Sequence, residues 1–261
     1  MTSELQPAAG TAAETDRRRG EQTPPPSERQ RKSRGVKLFV RDILVIFLAA
    51  LLISFLIKTF LVRSFYIPSE SMMDTLHVDD RIIVNLLEPE LMPISHGDVV
   101  VFTDPGNWLP GGDEPDTRNP VAVAVDEVLG FVGLSAPDSD DHLIKRVIGL
   151  PGDVVTCCND FGQLTVNGVP LEEPYAVVPT ATSPAAPATF EVTVPEGMIW
   201  VMGDNRYNSR DSVFHRDEPG GGFVPIKNVV GTAFVINWPA DRWSFLGNYP
   251  MVFREAVRDS G

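Results

Sequence analysis

The chain has 261 residues and a net charge of −13, and 43% of its residues are apolar, so it is long enough for one or two folded domains. Residues 1–62 carry 10 Lys/Arg against 6 Asp/Glu, whereas residues 63–261 carry 12 against 29. This acidic main part argues against nucleic acid as a partner, because phosphate binding needs clustered Lys and Arg. The only two cysteines, Cys157 and Cys158, are adjacent, which excludes C-x-x-C zinc and thioredoxin-like motifs.

The N-terminal part of the chain predicts a tail followed by a membrane anchor. Residues 1–37 contain few large apolar side chains and cannot offset the entropy of ordering, so we expect a disordered cytoplasmic tail. Residues 38–62 are strongly apolar, and a bilayer core needs about 20 apolar residues in a helix. They are predicted to form a transmembrane helix with Lys58 reaching the headgroups. A cleavable signal peptide is the alternative, but no Ala-x-Ala exit follows the segment.

The flanking charges predict the orientation of this anchor in the plasma membrane. Basic residues cluster before the span, whereas Arg63 stands nearly alone after it. The positive-inside rule therefore places the N-terminus in the cytoplasm and residues 63–261 outside, in a single-pass protein. The basic residues before the span are Arg29, Arg31, Lys32, Arg34, Lys37 and Arg41.

The exterior part predicts β-structure, because short Val/Ile-rich runs alternate with turn signals, and the whole chain holds 23 prolines and 21 glycines. Residues 103–142 and 176–188 are predicted loops. The acidic group Asp138, Asp140, Asp141 with His142 is interpreted as part of a solvated loop, and we expect no metal and no cofactor. Cys157 and Cys158 are expected as buried thiols, although a vicinal disulfide is open in an oxidising compartment. The predicted strands are 81–85, 98–102, 143–148, 154–157, 164–166, 189–194, 198–202 and 229–237.

Two polar side chains in apolar surroundings suggest hydrolytic chemistry. Ser71 lies in a Pro-kinked stretch shortly after the predicted anchor, and Lys145 lies in an apolar, strand-like run. A serine nucleophile needs a base, and burial disfavours the charged form of lysine, so a buried Lys145 can serve as that base. Strand alternation places Lys145 and Arg146 on opposite sides, one inward and one toward solvent. The alternative for Lys145 is an exposed residue on an edge strand.

The histidines give no comparable signal. His77, His96, His142 and His215 have no local signature, and neither G-x-S-x-G nor H-E-x-x-H occurs. Each is interpreted as a loop or surface residue, which argues against a Ser-His-Asp triad.

Four segments resemble the ordered boxes of bacterial type I signal peptidases, the leader peptidases with a Ser–Lys dyad. They are IPSESMMDTL at 67–76, GDVVVF at 97–102, IKRVIGLPGD at 144–153 and MGDNRYNSRDS at 202–212. The resemblance implies a membrane-bound serine endopeptidase that removes signal peptides from exported preproteins after an Ala-x-Ala site. It also implies a mostly β fold, with an antiparallel-sheet or partly open barrel catalytic core at 63–261 and a smaller inserted β region at 152–197.

The resemblance also implies the roles of individual residues. Ser71 corresponds to the nucleophile and Lys145 to the general base, Ser69 to the hydroxyl that stabilises the oxyanion, and Ser209 to the serine that orients the lysine amine. Asp204 and Asp211 correspond to supporting carboxylates. The substrate pockets would be lined by apolar residues, some of which are ordinary core instead: Phe65, Ile67, Pro68, Met72, Leu76, Ile82, Val101, Leu143 and Ile144.

The implied partners are preprotein signal peptides, bound as an added β-strand. Membrane lipid is the second partner, contacted in part by the apolar surface at 65–67. We expect a monomer that binds no nucleic acid.

The chain departs from the family pattern at three positions, and two other functions stay open. Asp74 replaces the usual proline, and Tyr207 often has Asp or Asn as its counterpart. Val213 replaces the arginine partner of Asp211, a role for which Arg210 or Arg216 is available. The alternatives are a self-cleaving Ser–Lys protease of the SOS-repressor type and a non-catalytic, membrane-tethered β scaffold.

Overall fold

The computed structural model describes residues 28–89, 91–106, 108–109 and 142–258. The predicted tail up to residue 27 and most of the predicted loop at 103–142, including Asp138, Asp140 and Asp141, lie outside these residues. The chain divides after Leu51 into two compact units.

Helix α1, Glu28–Phe60, provides most of the described part of the first unit and continues into the second. Its segment Leu38–Ile57 has a mean hydropathy of 2.5 and exposed side chains throughout. Twenty helical residues extend about 30 Å, the thickness of a bilayer core, so this helix has the length and composition for one membrane span. The helix begins ten residues before the predicted start at residue 38, because residues 28–37 are rich in the good helix formers Arg, Lys, Glu and Gln.

The second unit is built on two open antiparallel sheets. The strand order is β1-β2-β11-β3-β4-β9-β10 in the larger sheet, where β12 also pairs with β11, and β7-β6-β5-β8 in the smaller sheet. The prediction of a mostly β, antiparallel fold is confirmed. The strands are β1 Val62–Tyr66, β2 Arg81–Asn85, β3 Val99–Thr103, β4 His142–Gly149, β5 Val154–Cys157, β6 Leu164–Val166, β7 Val169–Pro170, β8 Phe190–Thr193, β9 Met198–Met202, β10 Val224–Pro225, β11 Val229–Trp238 and β12 Ser244–Phe245.

All eight predicted strands are present, with ends shifted by at most one residue. Strands β10 and β12 were not predicted, because two residues are too short to show an alternating pattern. Strand β1 was also not predicted, because it follows directly on the apolar sequence of the predicted anchor. The C-terminal helix α2, Pro250–Arg258, was also missed, and it buries Phe253 and Ala256 in an apolar cluster beneath the smaller sheet.

Strand β4 lies in the middle of the larger sheet and is buried along nearly its whole length, from Leu143 to Gly149. The expectation that either Lys145 or Arg146 meets solvent is therefore wrong. Both side chains are buried, because this strand is covered on both faces. At the end of β5, Cys157 and Cys158 form a vicinal disulfide where two thiols were expected.

Candidate active site

The structure brings Ser71 and Lys145 together although 74 residues separate them. Lys145 Nζ lies 2.8 Å from Ser71 Oγ, and both side chains are buried. The amine also donates a hydrogen bond to the carbonyl of Ile144 at 2.9 Å. Because β4 is paired with β3 along this stretch, the lysine reaches the serine from a strand whose backbone is held in the sheet.

The turn that carries Ser71 is held from three directions. Its buried side chains Met72 and Leu76 pack into the same apolar cluster as Phe65 on β1. The amide of Leu76 donates to the carbonyl of Met72 at 2.8 Å, and the amide of Asn205 donates to the carbonyl of Ser71 at 3.0 Å. The hydroxyl oxygen of Ser69 lies 3.3 Å from that of Ser71. The candidate nucleophile Ser71 therefore lies in a turn fixed by packing and hydrogen bonds, with the Ser69 hydroxyl beside it.

Burial shifts the lysine toward its neutral form. Desolvation lowers the pKa of Lys145 to about 8, and the charges of Asp211 and Asp204 oppose this shift. Neither carboxylate is hydrogen-bonded to the amine in the described residues, so desolvation prevails. An amine with such a pKa can accept a proton near neutral pH.

Asp211 is buried, and backbone amides replace the expected arginine. Its carboxylate accepts hydrogen bonds from the amides of Gly203 at 2.9 Å and Val213 at 3.0 Å. Burial raises the pKa of Asp211, while these amides and the Lys145 charge oppose the rise. Arg216 pairs with Asp217 and Arg210 lies over Phe214, so neither takes the arginine's place, contrary to expectation. Two backbone amides therefore supply the hydrogen-bond donors to the Asp211 carboxylate.

Ser209 is close to the site, but among the described residues its hydroxyl is not hydrogen-bonded to Lys145. Its hydroxyl is buried and forms no hydrogen bond within the described residues. It lies near enough to Asp211 to favour the charged carboxylate. Gly203 is what permits this packing, since a Cβ there would clash with the Ser209 hydroxyl and lie 2.5 Å from the carbonyl oxygen of Ser71. Sequence reasoning did not identify this glycine.

A buried ion pair links β4 to the turn of Ser71. Arg146 donates to Asp204 through Nε at 2.8 Å and Nη2 at 2.7 Å, and both side chains are fully buried. Asp204 also accepts a hydrogen bond of 2.5 Å from Thr75, four residues after Ser71. Arg146 was missed as a site residue, and only its position beside Lys145 and the predicted role of Asp204 could have indicated it.

The predicted pocket residues form mainly a core. Pro68 is exposed, and Leu143 belongs to a different cluster on the larger sheet. The others share one buried apolar cluster and therefore contribute packing beneath the Ser71 turn whatever else they do: Phe65, Ile67, Met72, Leu76, Ile82, Val101 and Ile144.

No histidine of the described residues is a hydrogen-bond partner of Ser71, whose side chain contacts only Ser69 and Lys145 in this way. His96 pairs with Asp153 at 2.6 Å, and the ring of His142 lies 5.2 Å from that of Phe65. His215 is buried and stacked on Trp108, but it lies in a turn as the loop interpretation allows, whereas His142 is the first residue of strand β4 and not part of a loop. A conventional Ser–His arrangement is not present in the described part of the chain.

Comparisons with known proteins show the family to which this chain is similar. The family model for signal peptidase, peptidase S26, matches residues 40–238. The signal peptidase I of Mycobacterium tuberculosis is 40% identical over 222 residues, which cover 78% of this chain and 74% of that protein. A probable signal peptidase I of Mycobacterium leprae is 37% identical over 245 residues, covering 85% and 82%. The crystal structure of a signal peptidase I from Enterococcus faecalis is 27% identical, covers 53% of this chain and 95% of its own, and gives a TM-score of 0.33.

Proposed function

Because the chain belongs to the signal peptidase I family, peptidase S26, and is thereby a serine peptidase, we propose that Ser71 is its nucleophile and Lys145 its general base. The observation that carries this proposal is the 2.8 Å contact between a buried serine hydroxyl and a buried lysine amine. The downward shift of the lysine pKa to about 8 leaves a larger fraction of the amine in the neutral form that can accept a proton near pH 7. The other buried cation nearby, Arg146, is paired with Asp204 and cannot serve as a base.

The proposed reaction follows from these positions. Neutral Lys145 accepts the Ser71 proton as Oγ attacks the scissile carbonyl, and the backbone amide of Ser71 with the hydroxyl of Ser69 donates to the oxyanion. The lysine ammonium then gives its proton to the departing amine, which leaves an ester on Ser71. A water molecule, deprotonated by the same lysine, then attacks the ester carbonyl, and the lysine ammonium returns the proton to the Ser71 oxygen as the peptide acid leaves. Asp211, with Ser209 beside it, supports Lys145 from the segment that follows β9.

The substrate is proposed to be the signal peptide of an exported preprotein, cleaved after small residues in an Ala-x-Ala pattern. Strand β9 pairs with β4 only from Arg146 onward, so among the described residues the stretch 143–145 of β4 has no paired strand on the β9 side. Such an edge next to Lys145 suits an extended peptide that adds as a strand. Ile144 on this part of β4 packs in the same buried apolar cluster as Ile67, and such an apolar lining favours small apolar residues at −1 and −3.

We further propose a single-pass plasma-membrane protein that acts as a monomer, with its N-terminus in the cytoplasm and residues 63–261 outside. The apolar helix Leu38–Ile57 and the basic residues before it support this arrangement. Signal peptides are themselves apolar and membrane-associated after export, so an anchored enzyme and its substrate share one surface.

The test is cleavage of a separate peptide by the purified full-length protein in detergent, with Ala at −1 and −3 of the peptide. The wild type should cleave it, whereas Ser71→Ala should not, although it should unfold at the same temperature. A self-cleaving protease would cut only its own chain, and a scaffold would leave the peptide intact. Either of these two results rejects the proposal.

A further inference from the structure

The chain continues past the range matched by the family model, which ends at residue 238, and this extension reaches the site. Strand β12 and helix α2 belong to it, and between them residues 247–249 lie against the loop before β3. Asn248 donates to the carboxylate of Asp98 at 3.1 Å, and Phe253 of α2 stacks on His96 with ring centres 5.3 Å apart. The extension is therefore docked on the loop before β3 by Asn248 and by helix α2.

This extension completes the environment of Arg146. The guanidinium donates through Nη1 to the carbonyls of Gly97 at 2.6 Å and Gly247 at 3.2 Å. Its Cζ atom lies 4.1 Å from the ring centre of Tyr175 and 5.3 Å from that of Tyr249. A buried ion pair is stable only when its remaining donors and faces are satisfied, and aromatic rings attract a guanidinium. The extension thus supplies one carbonyl and one ring to this cation.

Tyr249 has an unfavourable backbone conformation for its residue type. Its φ is 50°, in the left-handed region that bulky residues rarely adopt. A glycine would fit this backbone at lower cost. A tyrosine that keeps such a conformation while its ring faces Arg146 indicates that the ring itself has a role.

The contacts of Arg146 connect it to both Lys145 and the turn of Ser71. Arg146 follows Lys145 on β4 and holds Asp204, which accepts from Thr75 in the turn of Ser71. The next residue, Asn205, holds the carbonyl of Ser71. We propose that Tyr249, together with the carbonyl of Gly247, is a positioning residue that keeps Arg146 on Asp204 and thereby fixes the Ser71 turn relative to Lys145. The inference rests on the proposed Ser71–Lys145 mechanism.

A weaker contact between Arg146 and Asp204 should raise the pKa of Lys145. Asp204 raises the pKa of Lys145, as does Asp211, against the stronger effect of burial. When Arg146 no longer neutralises Asp204 fully, the carboxylate stabilises the lysine ammonium more strongly. The rise of activity with pH should then move to higher pH, a change that a general loss of stability would not produce.

The experiment compares Tyr249→Gly with Tyr249→Phe in the full-length protein. The glycine variant suits the left-handed backbone but lacks the ring, whereas the phenylalanine variant keeps the ring without the hydroxyl. Phe245→Leu is the matched control, because Phe245 lies on the same extension and is 72% exposed. We expect Tyr249→Gly to lower kcat about tenfold, from the ordinary range of a cation–π contact, with little change in KM and a shift of the pH profile to higher pH. Tyr249→Phe and Phe245→Leu should behave as the wild type.

The outcomes separate this inference from the proposed mechanism. If Tyr249→Gly keeps the wild-type kcat and pH profile while Lys145→Met is inactive, the positioning role is rejected and the Ser–Lys mechanism stands. A fully active Lys145→Met rejects the mechanism and the inference with it. Should Tyr249→Gly not fold, Tyr249→Asn carries the same test, because asparagine also tolerates the left-handed backbone.

Discussion

Raising the pH from 6 to 9 should increase kcat/KM strongly, because only neutral Lys145 can accept the Ser71 proton. With a pKa of about 8, the neutral fraction of Lys145 is about 1% at pH 6, about 9% at pH 7 and about 90% at pH 9. The rate should therefore rise about 90-fold over this range. At its ordinary pKa of 10.5, lysine would be only about 0.03% neutral at pH 7, so burial makes the neutral base roughly 300 times more abundant.

The assay is the initial rate of cleavage of a quenched fluorescent peptide, below KM and at constant ionic strength. Lys145→Met should be folded and inactive, and its thermal unfolding temperature should not fall, because the cost of burying an ammonium is removed. Lys145→Arg should also be inactive, since a guanidinium stays protonated. The reasoning is refuted if Lys145→Met keeps normal turnover, or if the profile has its limb near pH 6–7 and loses it when His77, His96, His142 or His215 is replaced by alanine.

Three further predictions concern the site, the substrate and the membrane. Ser209→Ala should lower kcat less than Lys145→Met does, because Ser209 acts on the base only through the neighbouring carboxylate of Asp211; equal losses in the peptide assay would contradict that role. Replacing Ala at −1 of the peptide by a bulky residue should nearly abolish cleavage, and equal rates measured for both peptides would mean that the proposed pockets are wrong. A protease added outside intact cells should digest the chain after Arg63 and spare an epitope tag at the N-terminus, whereas protection of the C-terminal unit on an immunoblot would reverse the proposed orientation.

The strands were predictable because their pattern is local. Runs such as Leu143 to Ile148 and Met198 to Met202 combine β-branched or apolar residues with turn signals at both ends, and these features need no knowledge of the rest of the chain. Strands of two residues and helix α2 lack such a pattern. The pairing of Ser71 with Lys145 was inferred from family resemblance, since neither residue carries a local sign of the other.

The environment of Arg146 shows what sequence reasoning could not reach. Alternation along β4 predicted that either Lys145 or Arg146 would be exposed, a rule that holds only when one face of a sheet is open. Here Tyr175 and Tyr249 cover the guanidinium, and they come from segments that follow it by 29 and 103 residues. Whether distant segments cover a strand depends on the packing of the whole unit, and the sequence of the strand does not reveal it.

The same packing explains how a lysine can remain a base beside two carboxylates. An unpaired aspartate next to Lys145 would stabilise the ammonium and cancel the effect of burial. Each carboxylate is instead satisfied elsewhere: Asp204 by Arg146 and Thr75, and Asp211 by two backbone amides. Because Val213 contributes an amide where the family pattern has an arginine side chain, Asp211 carries less compensating charge in this chain. Of the two buried carboxylates, Asp211 is thus the one that raises the pKa of Lys145 more. The basicity of the lysine is consequently set by how the fold distributes donors among its neighbours as much as by its own burial.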